Sequence, residues 1–169
     1  AKAGFSVGAL CGYPSEYCLK EDVQLREIHE NIEIRRLKYI QLNRSNIIGR
    51  LINYFSFTMS VALHFNQLSM YKAVLVYSNP PILPIVPALA NKVFGIKLVF
   101  VSYDIYPEIA YVTKSISKGG IISKTMKVVN KLIFSRASKV VALSSEMKDY
   151  LLKNRPLLSE KQMEVIPNW

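Results

Sequence analysis

The sequence predicts an α/β domain of the Rossmann-like, three-layer type, in which helices cover both faces of a mainly parallel sheet. From residue 73 to the last residue, strand-like apolar runs alternate with helical patterns, which is the order that βαβ units produce. The run Val74–Val76 is continuously apolar instead of alternating, as in a parallel strand covered on both faces. Half of the 169 residues are hydrophobic and the mean hydropathy is +0.17, so the chain can bury enough surface to fold.

The first third of the chain predicts two strands and one helix. A short apolar strand covers Phe5–Leu10, and we assign Ile32–Leu37 as an edge strand. A helix follows from about residue 47 to residue 66, with Ser45 or Asn46 as its cap. Its apolar residues recur every three or four positions and are predicted to face the core: Ile48, Leu51, Ile52, Phe55, Met59, Ala62 and Leu63.

Four further strands and four helices alternate in the rest of the chain. The predicted strands are Ala73–Tyr77, Lys97–Val101, Lys139–Leu143 and Glu164–Ile166. The first predicted helix runs from Pro81 to Phe94, with a kink at Pro87 and a stop at Gly95. A short helix follows Glu108, and a longer one runs from Ile122 to about Ser135. The last helix is capped by Ser144 or Ser145 and continues through Leu152.

The charge is strongly positive and unevenly distributed. The chain has 22 Lys and Arg against 12 Asp and Glu, a formal net charge of +10. Between residues 34 and 145 the only acids are Asp104 and Glu108, against fifteen basic residues. These two carboxylates are therefore isolated in a basic field.

Cysteine and hydropathy patterns bear on compartment and metal binding. Cys11 and Cys18 lie seven residues apart, far in sequence from both histidines, so we predict no metal site. A disulfide between them is one alternative, but nothing resembles a secretory signal, which favours reduced thiols and a cytoplasmic protein. Two long uncharged windows, 51–71 and 73–91, contain too many polar and proline residues for a membrane-spanning helix.

Three segments follow predicted strands, where ligands bind in parallel sheets: Gly12-Tyr13-Pro14, Ser78-Asn79-Pro80-Pro81, and Asp104-Ile105-Tyr106-Pro107-Glu108. Either Asp104 accepts hydrogen bonds from the hydroxyls of a polyol such as a sugar, or it caps the next helix. In the second case Pro107 takes the first helical position and Glu108 complements the helix dipole. Ser78 and Asn79 either line a cleft or form the turn that ends a strand.

A basic helix is the second functional signal. Lys124, Lys127 and Lys131 share one face, while Ile122, Met126, Val129 and Ile133 share the other, which we predict to be core. The lysines then either contact an anionic membrane surface or form an ordinary solvated face. A basic nucleic-acid-binding module is an alternative because the pI is about 9.6, but helix-turn-helix, RNA-binding aromatic and zinc patterns are missing, so nucleic acid is not the expected partner.

The order of motifs resembles one enzyme family. Strands ending in Cys-Gly-Tyr-Pro and Ser-Asn-Pro-Pro precede Val-Ser-Tyr-Asp-Ile-Tyr-Pro-Glu, Arg-Ala-Ser-Lys-Val-Val-Ala-Leu-Ser-Ser-Glu-Met and Glu-Val-Ile-Pro-Asn-Trp. This series is similar to the N-terminal half of bacterial family 4 glycosyltransferases with the GT-B fold, of the type that builds capsule, O-antigen or exopolysaccharide repeat units.

The resemblance implies an acceptor-binding domain over residues 1–166, without the family's first strand, and the start of an interdomain linker at 167–169. It implies a retaining transferase whose missing C-terminal domain binds the nucleotide-sugar donor, with no cofactor in this part. Asp104 and Glu108 are assigned as the catalytic pair: Asp104 matches the family's acidic position facing the reacting sugar, and Glu108 is expected to support that loop from the start of the helix. A lipid-linked sugar acceptor is expected to be bound by Tyr13, Ser78, Asn79 and Tyr106. We expect a location at the inner face of the cell membrane and no turnover by this chain alone. A non-catalytic Rossmann-like scaffold remains an alternative.

Overall fold

The computed structural model describes residues 4–14, 23–114 and 116–168. The chain divides into two compact units, Ala1–Leu63 and His64–Trp169. The single acceptor-binding domain over residues 1–166, with a linker after it, therefore stays a prediction.

The first unit contains a three-stranded sheet. Strands β1 (Val7–Gly12) and β3 (Ile32–Leu37) pair in parallel, and β2 (Arg26–His29) pairs with β3 in antiparallel orientation. The prediction of an edge strand at Ile32–Leu37 is wrong, because β3 has a partner on each side. The sequence analysis did not predict strand β2, because three of its four residues are charged or titratable. Arg36 of β3 stabilises the pairing of the two strands by donating to Glu27 at 2.6 Å.

Helix α1 (Ile47–Ala62) forms where it was expected, but its buried face is a different one. Asn46 caps it by accepting from the Ile48 amide at 3.0 Å. The prediction that its apolar stripe faces the core is wrong, since these side chains are 37% to 79% exposed: Ile48, Leu51, Ile52, Phe55, Met59 and Leu63. Instead Asn53 is buried, accepting from the Leu42 amide at 2.7 Å and donating to the Leu42 carbonyl at 2.8 Å. Hydrogen bonding to the preceding loop thus determines which side of α1 is buried.

The second unit confirms the predicted fold class. Its four strands pair in chain order and all in parallel: β4 (Ala73–Tyr77), β5 (Lys97–Ser102), β6 (Ala137–Ala142) and β7 (Met163–Val165). Four helices flank this sheet: α2 (Ile85–Phe94), α3 (Glu108–Val112), α4 (Ile121–Arg136) and α5 (Ser145–Asn154). A parallel sheet flanked by helices is consistent with a Rossmann-like, three-layer α/β fold.

One apolar core joins the strands to α2, α4 and α5. Leu98 and Val140 from neighbouring strands meet Ile133 and Phe134 of α4 and Leu151 of α5 in one buried cluster. The predicted core stripe of α4 is confirmed at Ile133 and half-buried at Met126 and Val129, but Ile122 is 48% exposed. Among the described residues, no helix is both long and apolar enough to cross a membrane.

Helix α2 begins later than predicted. Turns in which amides bond three residues back, such as Leu83 to Pro80 at 3.1 Å, occupy the segment before Ile85. The start at Pro81 and the kink at Pro87 are wrong, because the late start places Pro87 in the first turn, where the amide hydrogen that proline lacks has no helical partner. Gly95 ends the helix with φ of 71°, the left-handed conformation that glycine adopts without steric cost.

Candidate functional site

The carboxyl ends of β4 and β5 are held together by a buried hydroxyl group. Ser78, the residue after β4, is 3% exposed. Its Oγ accepts from the amides of Tyr103 at 3.0 Å and Asp104 at 2.9 Å, and its own amide donates to Val101. Ser78 therefore fixes the backbone of the Asp104 loop, which we define as residues 103–107.

The carboxylate of Asp104 has no partner in the part of the chain that the structure describes. The side chain is half-buried, and no hydrogen bond or ion pair engages it there. Helix α3 begins at Glu108 after Pro107 without a side-chain cap, and the Ile109 amide bonds to the Ile105 carbonyl at 2.9 Å. The capping alternative for Asp104 is therefore wrong, because the backbone itself supplies that acceptor.

Glu108 lies four residues after Asp104, and its carboxylate accepts several hydrogen bonds. The Nη2 of Arg155 donates to both carboxylate oxygens at 2.7 and 2.8 Å and to the Tyr106 carbonyl at 3.1 Å. The Tyr150 hydroxyl donates to Glu108 Oε1 at 3.4 Å. Burial, followed by the negative charge of Glu108, raises the pKa of Tyr150 above its usual value. The geometry makes Glu108 an anchor of the loop.

Helix α4 holds the Asp104 loop from another side. The side-chain amide of Asn130 donates to the Tyr106 carbonyl, which also accepts from Arg155. The Tyr111 and Ser123 hydroxyls share a hydrogen bond that joins α3 to α4. The segment carrying the free carboxylate is thus bonded to β4, to α4 and to the end of α5.

A shallow depression opens beside the carboxylate. Three of the predicted site residues line it, Ser78, Asp104 and Tyr106, together with Asn130, while Asn79 and Glu108 do not. Its enclosed volume is about 10 Å³, close to the space for a single water molecule. The depression itself is therefore too small to enclose a ligand larger than water.

Two exposed aromatic rings lie at the same edge of the sheet. Tyr77 ends β4 and Tyr103 follows β5, and their ring centroids are 5.5 Å apart. The Tyr103 hydroxyl donates to Asn168 at 3.4 Å. Exposed rings beside a few polar groups are typical of ligand-binding surfaces. Sequence reasoning missed this pair, although each tyrosine lies at or just after the end of a strand that was predicted from the sequence.

Tyr13 lies in the first unit, whereas the other predicted site residues belong to the second. Its amide donates to the Leu37 carbonyl at 2.8 Å, and its carbonyl accepts from Gln41 at 2.7 Å. Nearby Cys11 forms no disulfide with a residue that the structure describes, and burial raises the pKa of its thiol. The alternative of a disulfide to Cys18 lies outside the described residues.

The three predicted membrane-surface residues, Lys124, Lys127 and Lys131, are all exposed on α4. Within the described ranges none of them forms an ion pair, whereas Lys139 and Lys148 pair with acids at 2.6 and 3.2 Å. In those ranges, no group of three His, Cys, Asp or Glu side chains is suitably placed to hold a metal ion. The α4 lysines thus present uncompensated positive charge.

Sequence reasoning missed the residues that hold the loop. Asn130 interrupts the apolar stripe of α4 between Met126 and Ile133, and a polar residue at such a position was a readable signal of a buried hydrogen bond. Arg155 carried no comparable signal, because its partner Glu108 lies 47 residues away in the sequence.

Comparison with known proteins assigns no function to this chain. No protein-family model matches the chain, and no curated protein matches it. The family resemblance therefore depends only on the motifs quoted above.

Proposed function

We propose that this chain is the acceptor-side domain of a retaining glycosyltransferase. In this proposal the enzyme moves a sugar from a nucleotide-sugar to a lipid-linked saccharide during bacterial surface polysaccharide synthesis. The observation that carries the proposal is the carboxylate of Asp104, which has no partner among the described residues while the backbone around it is held in place.

The location and surroundings of this carboxylate support binding of a neutral polyol. It follows β5 at the carboxyl edge of a parallel sheet, where ligands of such folds bind. A solvated surface acid needs no fixed backbone, whereas a group that must meet a ligand hydroxyl in one orientation does. The two exposed tyrosines and the shallow depression offer a surface on which a sugar ring can lie.

The proposal gives each residue a distinct role. Asp104 orients the acceptor hydroxyl or stabilises positive charge on the reacting sugar ring, an electrostatic role that benefits from a preorganised group. Tyr106 and Asn79 contribute to acceptor binding. Glu108 and Ser78 position the loop. A second domain binds the nucleotide-sugar, whose phosphate accepts the proton of the acceptor hydroxyl, so this part needs no nucleophile.

A lipid-linked acceptor also gives a role to the basic helix. We propose that the enzyme is peripheral to the inner face of the cell membrane, with Lys124, Lys127 and Lys131 attracted to anionic lipids. Each lysine near such a surface contributes about 1 kcal/mol. Their lack of acidic partners in the described ranges supports this role.

Saccharide binding tests the carbohydrate part of the proposal. The ¹⁵N-labelled chain is titrated with monosaccharides linked through diphosphate to a short, soluble prenol. We expect the amide signals of the Asp104 loop to shift with saturation, while those of β2, in the other unit, do not. Shifts confined to residues elsewhere, or none with any saccharide, would contradict the proposal.

A further inference from the structure

Two apolar side chains lie on the solvent side of α4, among its lysines. Ile121 is 85% exposed and Val128 is 69% exposed. They alternate with Lys124 and Lys131 at positions i, i+3, i+7 and i+10, which places all four on one side of a helix. We call these four residues the α4 ridge.

The ridge is not a core-facing stripe. The residues of α4 that are buried are Ser123, Ile133 and Phe134, and they lie on the opposite side of the helix. A helix of a soluble protein usually exposes charged and polar residues there. No acid occurs anywhere from residue 114 to residue 139, so ion pairs along the helix do not explain the lysines either.

We propose that the α4 ridge is an interfacial insertion surface, in which Ile121 and Val128 enter an anionic bilayer while Lys124 and Lys131 contact lipid phosphates. This inference rests on the membrane part of the proposed function and goes beyond charge attraction alone. Helices that lie in a membrane interface combine positively charged side chains with exposed apolar ones, and the α4 ridge has both. A lipid surface is complementary to both features, whereas nucleic acid is complementary only to the charge.

The ridge also sets the height of the candidate site above the lipid. Asn130, on the inner side of α4, donates to the Tyr106 carbonyl in the Asp104 loop. A helix with its side chains is about 10–12 Å in diameter, so the loop would lie roughly that far above the headgroups. This separation suits an acceptor whose sugar is joined by a diphosphate to a lipid in the same bilayer.

Vesicle sedimentation of the purified chain tests the surface. The vesicles contain either phosphatidylcholine alone or equal parts of phosphatidylcholine and phosphatidylglycerol. We expect the Ile121→Ser/Val128→Ser variant to bind the anionic vesicles roughly tenfold more weakly than the unmodified chain, because two apolar side chains no longer leave water. The matched control is Met70→Ser/Val93→Ser, whose two side chains are 80% and 64% exposed elsewhere in the same unit, and we expect no change in its binding.

The charge contribution is tested separately. The Lys124→Gln/Lys127→Gln/Lys131→Gln variant should bind anionic vesicles roughly 100-fold more weakly, since three lysines are removed. The control Lys92→Gln/Lys97→Gln/Lys153→Gln removes the same charge from other exposed sites and should bind more tightly than the first variant. Equal binding of neutral and anionic vesicles would overturn the electrostatic role of the lysines.

Insertion is measured directly with a tryptophan reporter. In a Trp169→Phe background, Ile121→Trp should show a fluorescence blue shift and quenching by brominated lipids on anionic vesicles, while Val93→Trp should show neither. If charge removal weakens binding but Ile121→Ser/Val128→Ser binds normally and the reporter stays in water, insertion is overturned while the proposed attraction to lipids survives. Salt-sensitive binding of DNA or RNA without vesicle binding would overturn both. Neither result depends on saccharide binding, so failure of the transferase proposal would be recognised independently.

Discussion

The Asp104 loop and the first turn of α3 each present one carboxylate from the same short segment, and their surroundings differ completely. Glu108 accepts two hydrogen bonds from Arg155 and one from Tyr150, with side chains of Glu108 and Arg155 that are only 30% and 16% exposed. Asp104 has its backbone amide bonded to Ser78, but its carboxylate has no partner among the described residues.

This difference separates positioning from binding. A carboxylate that is paired and hydrogen-bonded stabilises the fold, and its removal leaves buried partners unsatisfied. A carboxylate that is left unpaired on a fixed backbone contributes little to stability and is available to a ligand. Substitution of Glu108 is therefore expected to lower stability, whereas substitution of Asp104 is expected to weaken ligand binding.

The largest expected loss of stability follows from removing the guanidinium group that holds Glu108. Arg155→Met leaves the carboxylate and the Tyr106 carbonyl without this donor, which should lower the free energy of unfolding by about 2 kcal/mol because the pair is only partly exposed. Urea denaturation measures this change in the free energy of unfolding. Arg136→Met, at an exposed position of α4, is the control and should change stability by less than about 0.5 kcal/mol. Equal losses in the two variants would show that Glu108 is not an anchor.

A smaller loss is expected on the other side of the loop. Ser78→Ala removes the acceptor of the Tyr103 and Asp104 amides and should cost about 1–2 kcal/mol, since both amides lose their bonds in a buried setting. The matched change Ser138→Ala, on an exposed side chain of β6, should be nearly neutral. Amide signals of residues 103 and 104 should move only in Ser78→Ala. Unchanged signals there would contradict the role given to this hydroxyl.

The smallest effect concerns a paired carboxylate at the surface. A hydrogen bond from Lys139 holds the pKa of Glu164 below its ordinary value of 4.5. Because the folded pKa is lowered, the associated stability is present above pH 4.5 and is lost as the pH falls through the folded pKa. NMR titration of the glutamate carboxyl groups should show Glu164 moving back toward 4.5 in Lys139→Gln. A titration curve that stays the same in this variant would exclude the lysine as the cause.

The sequence predicted the parallel sheet of the second unit because apolar strands and helices alternate there with clear breaks. It predicted the existence of α1 and α4 equally well, since both have apolar residues at helical spacing. It failed on the burial of α1, because the buried side is chosen by the Asn53 bonds to Leu42, which lie outside the helix. Spacing identifies a helix, but the contacts that cover one face come from distant residues.

The candidate site was likewise predictable only in part from the sequence. Strand ends are readable from sequence, which is why it predicts Ser78 and Asp104 at one edge of the sheet. The capping alternative for Asp104 could be rejected only from the structure, because it depended on where α3 begins. The roles of Arg155 and Asn130 were unreadable or only partly readable, since they arise when α5 and α4 meet a loop far away in the chain.

The most direct measurement is calorimetry of the prenyl-diphosphate-linked saccharide with the unmodified chain, which we expect to bind it, and with Asp104→Asn. We expect Asp104→Asn to bind it roughly tenfold more weakly, because a charged hydrogen-bond acceptor is replaced by a neutral one. Its unfolding free energy should stay within about 0.5 kcal/mol of the unmodified chain. Asp149→Asn, an exposed acid of α5, serves as the control and should bind normally. Full affinity in Asp104→Asn would contradict the claim that this carboxylate binds the acceptor.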